Sequence, residues 1–326
     1  MARSLYVGVD LGGTNVLSAV VNPNGQILGR GKRRTAGART REALLEVIVE
    51  SARKALGRAD TGTDDIGAIG IGAPGPVDTV NGVVLEMPNI PVGALHLGAE
   101  LESEFGVECI VENDVNVGTL GEFWRGAGRG CHDVVGVFVG TGTGGGIIID
   151  GKILRGKTGI TGEIGHIVLD PSGPRCGCGR RGCLEALASR TAMQRAVREA
   201  LAAGEVSALS GLAKPGIDGL RSGAFRKALD QGDALARRVV HGCAVNLGYG
   251  AVTLIHLLSP ERVIFGGGVI EALGGEMLPI IEQIIHERCL EGTTEGVEVV
   301  PAKLGDDAGV LGAAAVAMQA KGVILD

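Results

Sequence analysis

The chain has 326 residues, 45% of them hydrophobic, and a formal net charge of −6. That length suggests roughly two domains with sizeable cores, and an aromatic content of only 2% means that small aliphatic side chains fill them. The acidic balance and the lack of a Lys/Arg block argue against nucleic-acid or anionic-membrane binding.

The first residues, MARSLYVGVDLGGTN, do not read as a signal peptide, because the apolar run is short and Asp10 breaks it. A cytoplasmic location follows as the expectation. There the seven cysteines are expected as thiols or metal ligands rather than disulfides.

Residues 5–30 read as strand, glycine turn, strand, a turn at Pro23-Asn24-Gly25, and strand. In DLGGTN, Gly12 and Gly13 allow close backbone approach to a ligand, and successive N–H groups can form an anion nest. Thr14 and Asn15 add side-chain donors. Asp10 stands at the strand end, where a carboxylate can hold Mg²⁺ with waters retained. An ordinary β-turn with a satisfied Asp10 is the alternative. Residues 40–56 read as an amphipathic helix with Leu44, Val47, Ile48 and Leu56 on one face and Thr40 as its cap. Residues 66–77 read as a strand ending in glycine and proline.

VENDVN, 111–116, follows the apolar VECIV and is expected at a strand end entering a helix. Asn113 can donate and accept, and Asp114 can accept a proton from an alcohol. Phosphoryl transfer needs such a carboxylate, a phosphate cradle and Mg²⁺. The alternative is that Asn113 or Asp114 caps the helix.

Residues 133–156 repeat the plan of residues 5–30, and RVIFGGGV, 262–269, repeats the later strand. GTGTGGG, 140–146, is the glycine loop of this second half, with Thr141, Gly142, Thr143 and Gly144 facing the same task as Gly12 to Asn15. Two motifs inside it mislead. GTGTGG satisfies G-x-G-x-x-G, but GIIID follows, which is a strand and not the helix a dinucleotide fold requires. GKILRGKT, 151–158, satisfies the P-loop pattern, but its continuation, GITGEIGHIVLDPSG, starts no helix.

His166, Cys176, Cys178 and Cys183 supply one nitrogen and three sulfurs, a closed tetrahedral set suited to structural Zn²⁺. Such a site leaves no position for a catalytic water. Reduced, unligated thiols with a coincidental His, or an iron–sulfur cluster, are the alternatives; a zinc ion would fix a loop that carries Glu163 and Glu185 as acceptors for the hydroxyls of a sugar. Further helices are expected over 188–204, 232–258 and 306–322, the last with acids in its first turn. The uncharged run 242–260 reads as a buried helix rather than a membrane span.

The duplicated order implies an α/β protein of two lobes facing a cleft. The first is expected over 1–118, with a C-terminal helix in 302–326 returning to it. The second, over 119–301, holds the zinc loop and the helices expected to mediate dimerisation.

Taken in order, DLGGTN, GAPGPVD, PNIP, ENDVN, GTGTGGG, EIGH, CGCGRRGCLE and FGGGV resemble the motifs of the ROK family of bacterial sugar kinases and repressors. The resemblance runs from about residue 5 to 320. It implies a duplicated actin-like ATPase (ribonuclease H-like) fold and ATP-dependent phosphorylation of the 6-hydroxyl of a hexose, glucose first. N-acetylglucosamine, N-acetylmannosamine, fructose or allose, and polyphosphate as donor, are alternatives. It implies that Asp114 takes the proton from that hydroxyl. Sugar contacts are implied for Gly75, Asn89, Asn113, Glu163, His166 and Glu185. The ATP phosphates are implied to meet Gly12, Gly13, Thr14, Asn15 and the 141–144 loop, with Gly267 and Gly268 by the adenosine. Members are commonly dimers or tetramers, so a homodimer or homotetramer is expected. The family often places Gly-Trp after PN-x-P, whereas PNIPVGALHL has no Trp. The repressors carry a helix-turn-helix before the first phosphate loop, and a loop starting at residue 10 argues for a kinase. A filament-forming or purely structural zinc protein gives no reason for Asp114, Glu163 and Glu185.

Overall fold

The computed structural model describes residues 4–87, 92–213 and 216–325. In chain order the elements begin with β1 (Leu5–Leu11), β2 (Asn15–Val21) and β3 (Ile27–Arg34), the expected meander. Asn22 closes the second turn by accepting from the backbone N–H groups of Asn24 and Gln26, both at 3.0 Å. Next come α1 (Arg41–Arg58), β4 (Ile66–Ala73), β5 (Val77–Asp78) and β6 (Val83–Val84). Thr40 caps α1 by accepting from Ala43 N–H at 3.2 Å. Then follow α2 (Leu97–Phe105), β7 (Cys109–Asn113) and α3 (Asp114–Arg125).

The second strand-rich segment gives β8 (Val134–Val139), β9 (Thr143–Ile149) and β10 (Lys152–Ile153). Residues 154–163 form no helix after β10 and Gly140–Gly142 lead into β9, so both misleading glycine motifs lack the helix they require. The rest comprises α4 (Leu184–Leu187), α5 (Arg190–Ala202), α6 (Leu209–Leu212), α7 (Ser222–Asp230), α8 (Ala234–Leu258), β11 (Arg262–Gly266), α9 (Gly268–Arg288), β12 (Glu298–Pro301) and α10 (Asp307–Ala320).

Two compact units result. The first comprises 1–132, 146–162 and 303–326; the second comprises 133–145 and 163–302. The first therefore extends past residue 118, because α3 continues to Arg125 and packs along α10. Its sheet has the order β3-β2-β1-β4-β7, with β1, β4 and β7 parallel. Alternation along the strands separates two faces. On one, Ser18 bonds Ser51 of α1, and the apolar core gathers Val7, Val9, Leu44, Ile48, Leu97 and Leu101. On the other, Gly8 and Gly70 admit α10 so closely that an added Cβ would lie 1.9 and 1.8 Å from the carbonyl oxygens of Val310 and Ala313. Helix α10 rests on α3 just as tightly: a Cβ on Gly312 would lie 1.6 Å from Val117 O, and one on Gly121 2.1 Å from Ala308 O.

A second five-stranded sheet has the order β10-β9-β8-β11-β12, and the chain passes from the second unit to the first within β9; β5 and β6 pair as a separate two-stranded sheet. The core of the second unit joins β8 and β11 to α5, α7, α8 and α9, with Phe225, Phe265, Leu247 and Met277 buried. Helix α8 is long and apolar enough to cross a membrane, but more than half of its most apolar window is buried in the protein.

Candidate functional site

In the first unit, three parallel strands end side by side. Asp10 of β1 is level with Gly72 of β4, and Gly72 with Glu112 of β7. One residue further, Ala73 is level with Asn113. In open α/β sheets ligands gather beyond such carboxyl ends. Asn113 ends β7 and caps α3: its Oδ1 accepts from Val115 N–H at 2.9 Å and Asn116 N–H at 3.2 Å. Its Nδ2 donates to Gly75 O at 3.2 Å, and Gly75 turns there with φ of +87°. Asn113 is therefore the cap of α3, as the alternative reading of VENDVN expected. Asp114 opens the helix, with Oδ1 accepting from Val115 N–H at 2.9 Å, where the positive end of the helix dipole favours a carboxylate.

The β1–β2 loop is held from below. Gly12 N–H donates to Asn15 O at 2.9 Å, Thr35 Oγ1 to Gly12 O at 2.7 Å, and Thr35 N–H to Thr14 O at 2.9 Å. Asp10 is half-buried against the first turn of α10, where a Cβ on Gly309 would lie 2.6 Å from its carboxyl carbon. Burial, and secondarily the Asp306 carboxylate, push Asp10 up to about 6. A half-buried acid next to a second acid fits a cation: Asp10 can hold Mg²⁺, which would relieve both causes.

In the second unit the 140–146 loop is tied at every turn. Gly140 N–H donates to Gly142 O at 2.8 Å. Arg190 N–H donates to Gly140 O at 3.0 Å, and Thr191 Oγ1 to Thr141 O at 2.8 Å. The Arg190 guanidinium also bonds Thr141 Oγ1, and Thr143 Oγ1 bonds Ala188 O. Gly165 lies so close under Thr143 that a Cβ would be 1.9 Å from its carbonyl oxygen. Gly267 follows β11 with φ of +83° and packs on the Val139 backbone, so α9 starts at Gly268 beside the end of β8.

The sulfur ligands converge. His166, Cys176, Cys178 and Cys183 place one ligand atom each within 4.8 Å of all the others. Cys178 and Cys183 sulfurs are 3.8 Å apart, and Cys176 Sγ is 3.8 Å from His166 Nδ1. A tetrahedron with metal–sulfur bonds of about 2.3 Å has sulfur–sulfur edges of about 3.8 Å, so the set fits Zn²⁺. Burial pushes the Cys176 thiol up to about 12 and raises Cys183, while the Arg180 backbone N–H brings the exposed Cys178 down to about 7. Buried thiols of this kind need a cation to become thiolates together. The loop closes because Gly179 and Gly182 adopt φ of +87° and +68°, and at Gly182 a Cβ would strike Asp170 O.

Two glutamates connect this cluster to its surroundings. His166 Nε2 is 3.8 Å from Glu163 Oε2, on the ring edge opposite the sulfurs. Glu185 Oε1 is 3.6 Å from Cys176 Sγ, while its Oε2 accepts from Thr143 N–H at 3.1 Å. Glu185 thus joins the cysteine loop to the glycine loop, and Gly142 leaves room for it: a Cβ there would lie 2.2 Å from Oε2.

Each unit carries part of the expected set. Asp10, Gly12 to Asn15, Gly75, Asn113 and Asp114 are in the first; Thr141 to Gly144, Glu163, His166, Glu185, Gly267, Gly268 and the cysteines are in the second. Asn89 lies outside the described residues. Sequence reasoning did not find Gly309, which shapes the Asp10 pocket, nor Arg190, which holds Thr141. It also passed over Glu112, one residue before Asn113 and 1% exposed.

The ROK family model matches residues 6–320. A glucokinase of Thermotoga maritima is 37% identical, over 97% of this chain and 98% of that protein. A glucokinase of Halalkalibacterium halodurans is 36% identical, over 96% of this chain and 94% of that protein. Among solved structures, a ROK family glucokinase from Streptomyces griseus in complex with glucose and AMPPNP has a TM-score of 0.81 at 37% identity, covering 97% of this chain and 99% of that one.

Proposed function

The chain belongs to the ROK family, and from that premise we propose that it transfers the γ-phosphoryl group of ATP to the 6-hydroxyl of glucose. Similarity to glucokinases along nearly the whole chain supports glucose and ATP as its substrates. The observation that carries the chemistry is the strand-end group of Asn113 and Asp114, fixed by the cap of α3 and level with the Asp10 strand end.

Asp114 removes the proton of the 6-hydroxyl as that oxygen forms its bond to the γ-phosphorus and the bond from phosphorus to the ADP oxygen breaks. Asn113 orients the sugar through its amide, and its own Oδ1 is engaged by the helix, so its position is rigid. Glu163 and Glu185 accept from sugar hydroxyls, and His166, with Nδ1 turned to the sulfurs, donates from Nε2–H. Backbone N–H groups of the 12–15 and 141–144 loops hold the phosphates, and Gly267 and Gly268 lie by the adenosine. Mg²⁺, when bound, neutralises phosphate charge, and Asp10 is the residue that would hold it. His166, Cys176, Cys178 and Cys183 would hold a structural Zn²⁺, which would brace the loop that carries Glu163 and Glu185.

The protein is further read as a cytoplasmic homodimer or homotetramer. Support for association comes from Leu257 and Leu290, exposed at 74% and 69% beside the ends of α8 and α9. Light scattering in solution tests it. A coupled ADP-release assay with Mg-ATP over glucose, fructose, allose, N-acetylglucosamine and N-acetylmannosamine, with polyphosphate as a second donor, tests the reaction. Glucose with ATP is expected to give the highest kcat/KM; no turnover of any hexose contradicts the reading.

A further inference from the structure

Glu112 is a buried carboxylate with three donors around it. Oε1 accepts from Asn113 N–H and from Asn116 Nδ2, each at 3.0 Å. Oε2 accepts from Arg155 Nε at 2.7 Å. The two donors on Oε1 lie on either side of Asp114 in the chain, one at the last residue of β7 and one in the first turn of α3. Glu112 therefore ties together the residues on either side of Asp114.

The local structure explains why a charge is placed here. β7 is the edge strand of its sheet, so its outer side has no neighbouring strand to fix the last residues. Glu112 points to the α10 face, in register with Gly72, whose missing side chain leaves room for Val117 of α3. The side chain can thus reach under the start of α3. A buried carboxylate needs a cationic partner. Arg155 supplies it from the segment after β10, 43 residues away in sequence. The Arg155 side chain is 38% exposed, and with Glu112 it lines a cavity of about 730 Å³ walled by Phe123, Lys152, Gln319 and Val323.

We propose that the Glu112–Arg155 pair is a positioning device for the reaction: Arg155 holds the Glu112 carboxylate, which fixes the strand-to-helix junction that presents Asn113 and Asp114. The inference rests on the reading of Asp114 as the base. Displacement of a reacting group by about 1 Å costs on the order of 10²-fold in rate. Loss of the clamp should therefore act on kcat and on glucose KM, through Asp114 and Asn113, while leaving ATP KM alone.

The test uses the full-length protein and the variants Arg155→Ala, Arg155→Lys and Glu112→Gln, with Asp114→Asn assayed beside them. Arg155→Ala is expected to lose about 10–100-fold in kcat, with ATP KM within about twofold of the parent. Methylguanidinium at millimolar concentration, entering through the open cavity, is expected to restore several-fold of that loss. Arg155→Lys should lie between Arg155→Ala and the parent. If Arg155→Ala does not fold, Glu112→Gln carries the test: its amide keeps the Oε1 acceptor but turns a donor toward Arg155, and the same split between kcat and ATP KM is expected. Folded Arg155→Ala or Glu112→Gln with kcat within threefold of the parent overturns the proposal, as does a loss that methylguanidinium leaves unchanged or that falls equally on ATP KM. Normal turnover of Asp114→Asn overturns the base assignment instead, so the two failures are told apart.

Discussion

Replacing Asp10 by asparagine should stabilise the nucleotide-free protein while disabling it. The side chain is half-buried beside Asp306 and Gly309, and those surroundings raise its carboxyl from 3.8 to about 6. A folded-state value above the unfolded one means that the folded protein binds the extra proton. The contribution of Asp10 is therefore most favourable below pH 4 and is lost as pH rises through about 6. Above that, the folded state carries a strained charge. The difference between 3.8 and about 6, at about 1.4 kcal/mol per pH unit, is about 3 kcal/mol at most, and partial solvent access lowers it. The asparagine amide has nearly the same shape as the carboxylate and no charge. At pH 7.5, without Mg²⁺ or nucleotide, the melting temperature of Asp10→Asn is expected to rise by roughly 2–4 °C, since about 1.5 °C per kcal/mol is what a chain of 326 residues gives. The gap should shrink as pH falls through 6 and be nearly gone at pH 4. Mg-nucleotide should raise the melt of the parent more than that of the variant, and turnover should fall by about 10²-fold or more. A variant that melts at or below the parent at pH 7.5, or gains equally at pH 4, refutes the reasoning, because the gain must come from removing a charge.

Other consequences are equally direct. Cys178→Ser should release the metal and weaken glucose binding about tenfold or more, since His166 links the sulfurs to Glu163; metal analysis with calorimetry checks it, and fully active protein with under half an equivalent of zinc contradicts it. Lys157→Ala should keep turnover within about twofold, because no helix follows the glycines as phosphate binding by a P-loop demands; collapse of rate together with nucleotide binding would restore that motif. Gly312→Ala should cost about 1–3 kcal/mol or more in a denaturant melt, because the new methyl meets Val117 O on α3; an unchanged melt contradicts the close packing of α10 on α3.

The sequence made the strand-and-turn half of the fold plain and left the helical half less so. Asn22 to Gly25 and Asp150-Gly151 mark tight turns between apolar runs, so β1 to β3 and β8 to β10 stand out. Helix α9 does not, because Gly274, Gly275 and Pro279 sit in its interior and read as breakers; burial of Leu273, Met277 and Ile281 overrides them. Helix α2 hides similarly behind Gly98, which is glycine because Gly82 and Cys109 O approach it. In the site, the cysteine spacing and the glycine loops were legible because their chemistry is local. Glu112 with Arg155, and Asp10 with Gly309, were not: each pair is made by segments far apart in sequence, and nothing near Arg155 marks it as the partner of a buried acid.

The central claim is that Asp114 takes the proton of the sugar hydroxyl. Measuring steady-state turnover of Asp114→Asn, alongside its glucose affinity by calorimetry, tests this most directly. A fall in kcat of about 10²–10⁴-fold, with glucose bound near parental affinity, is the expected result. Turnover close to that of the parent would contradict the account.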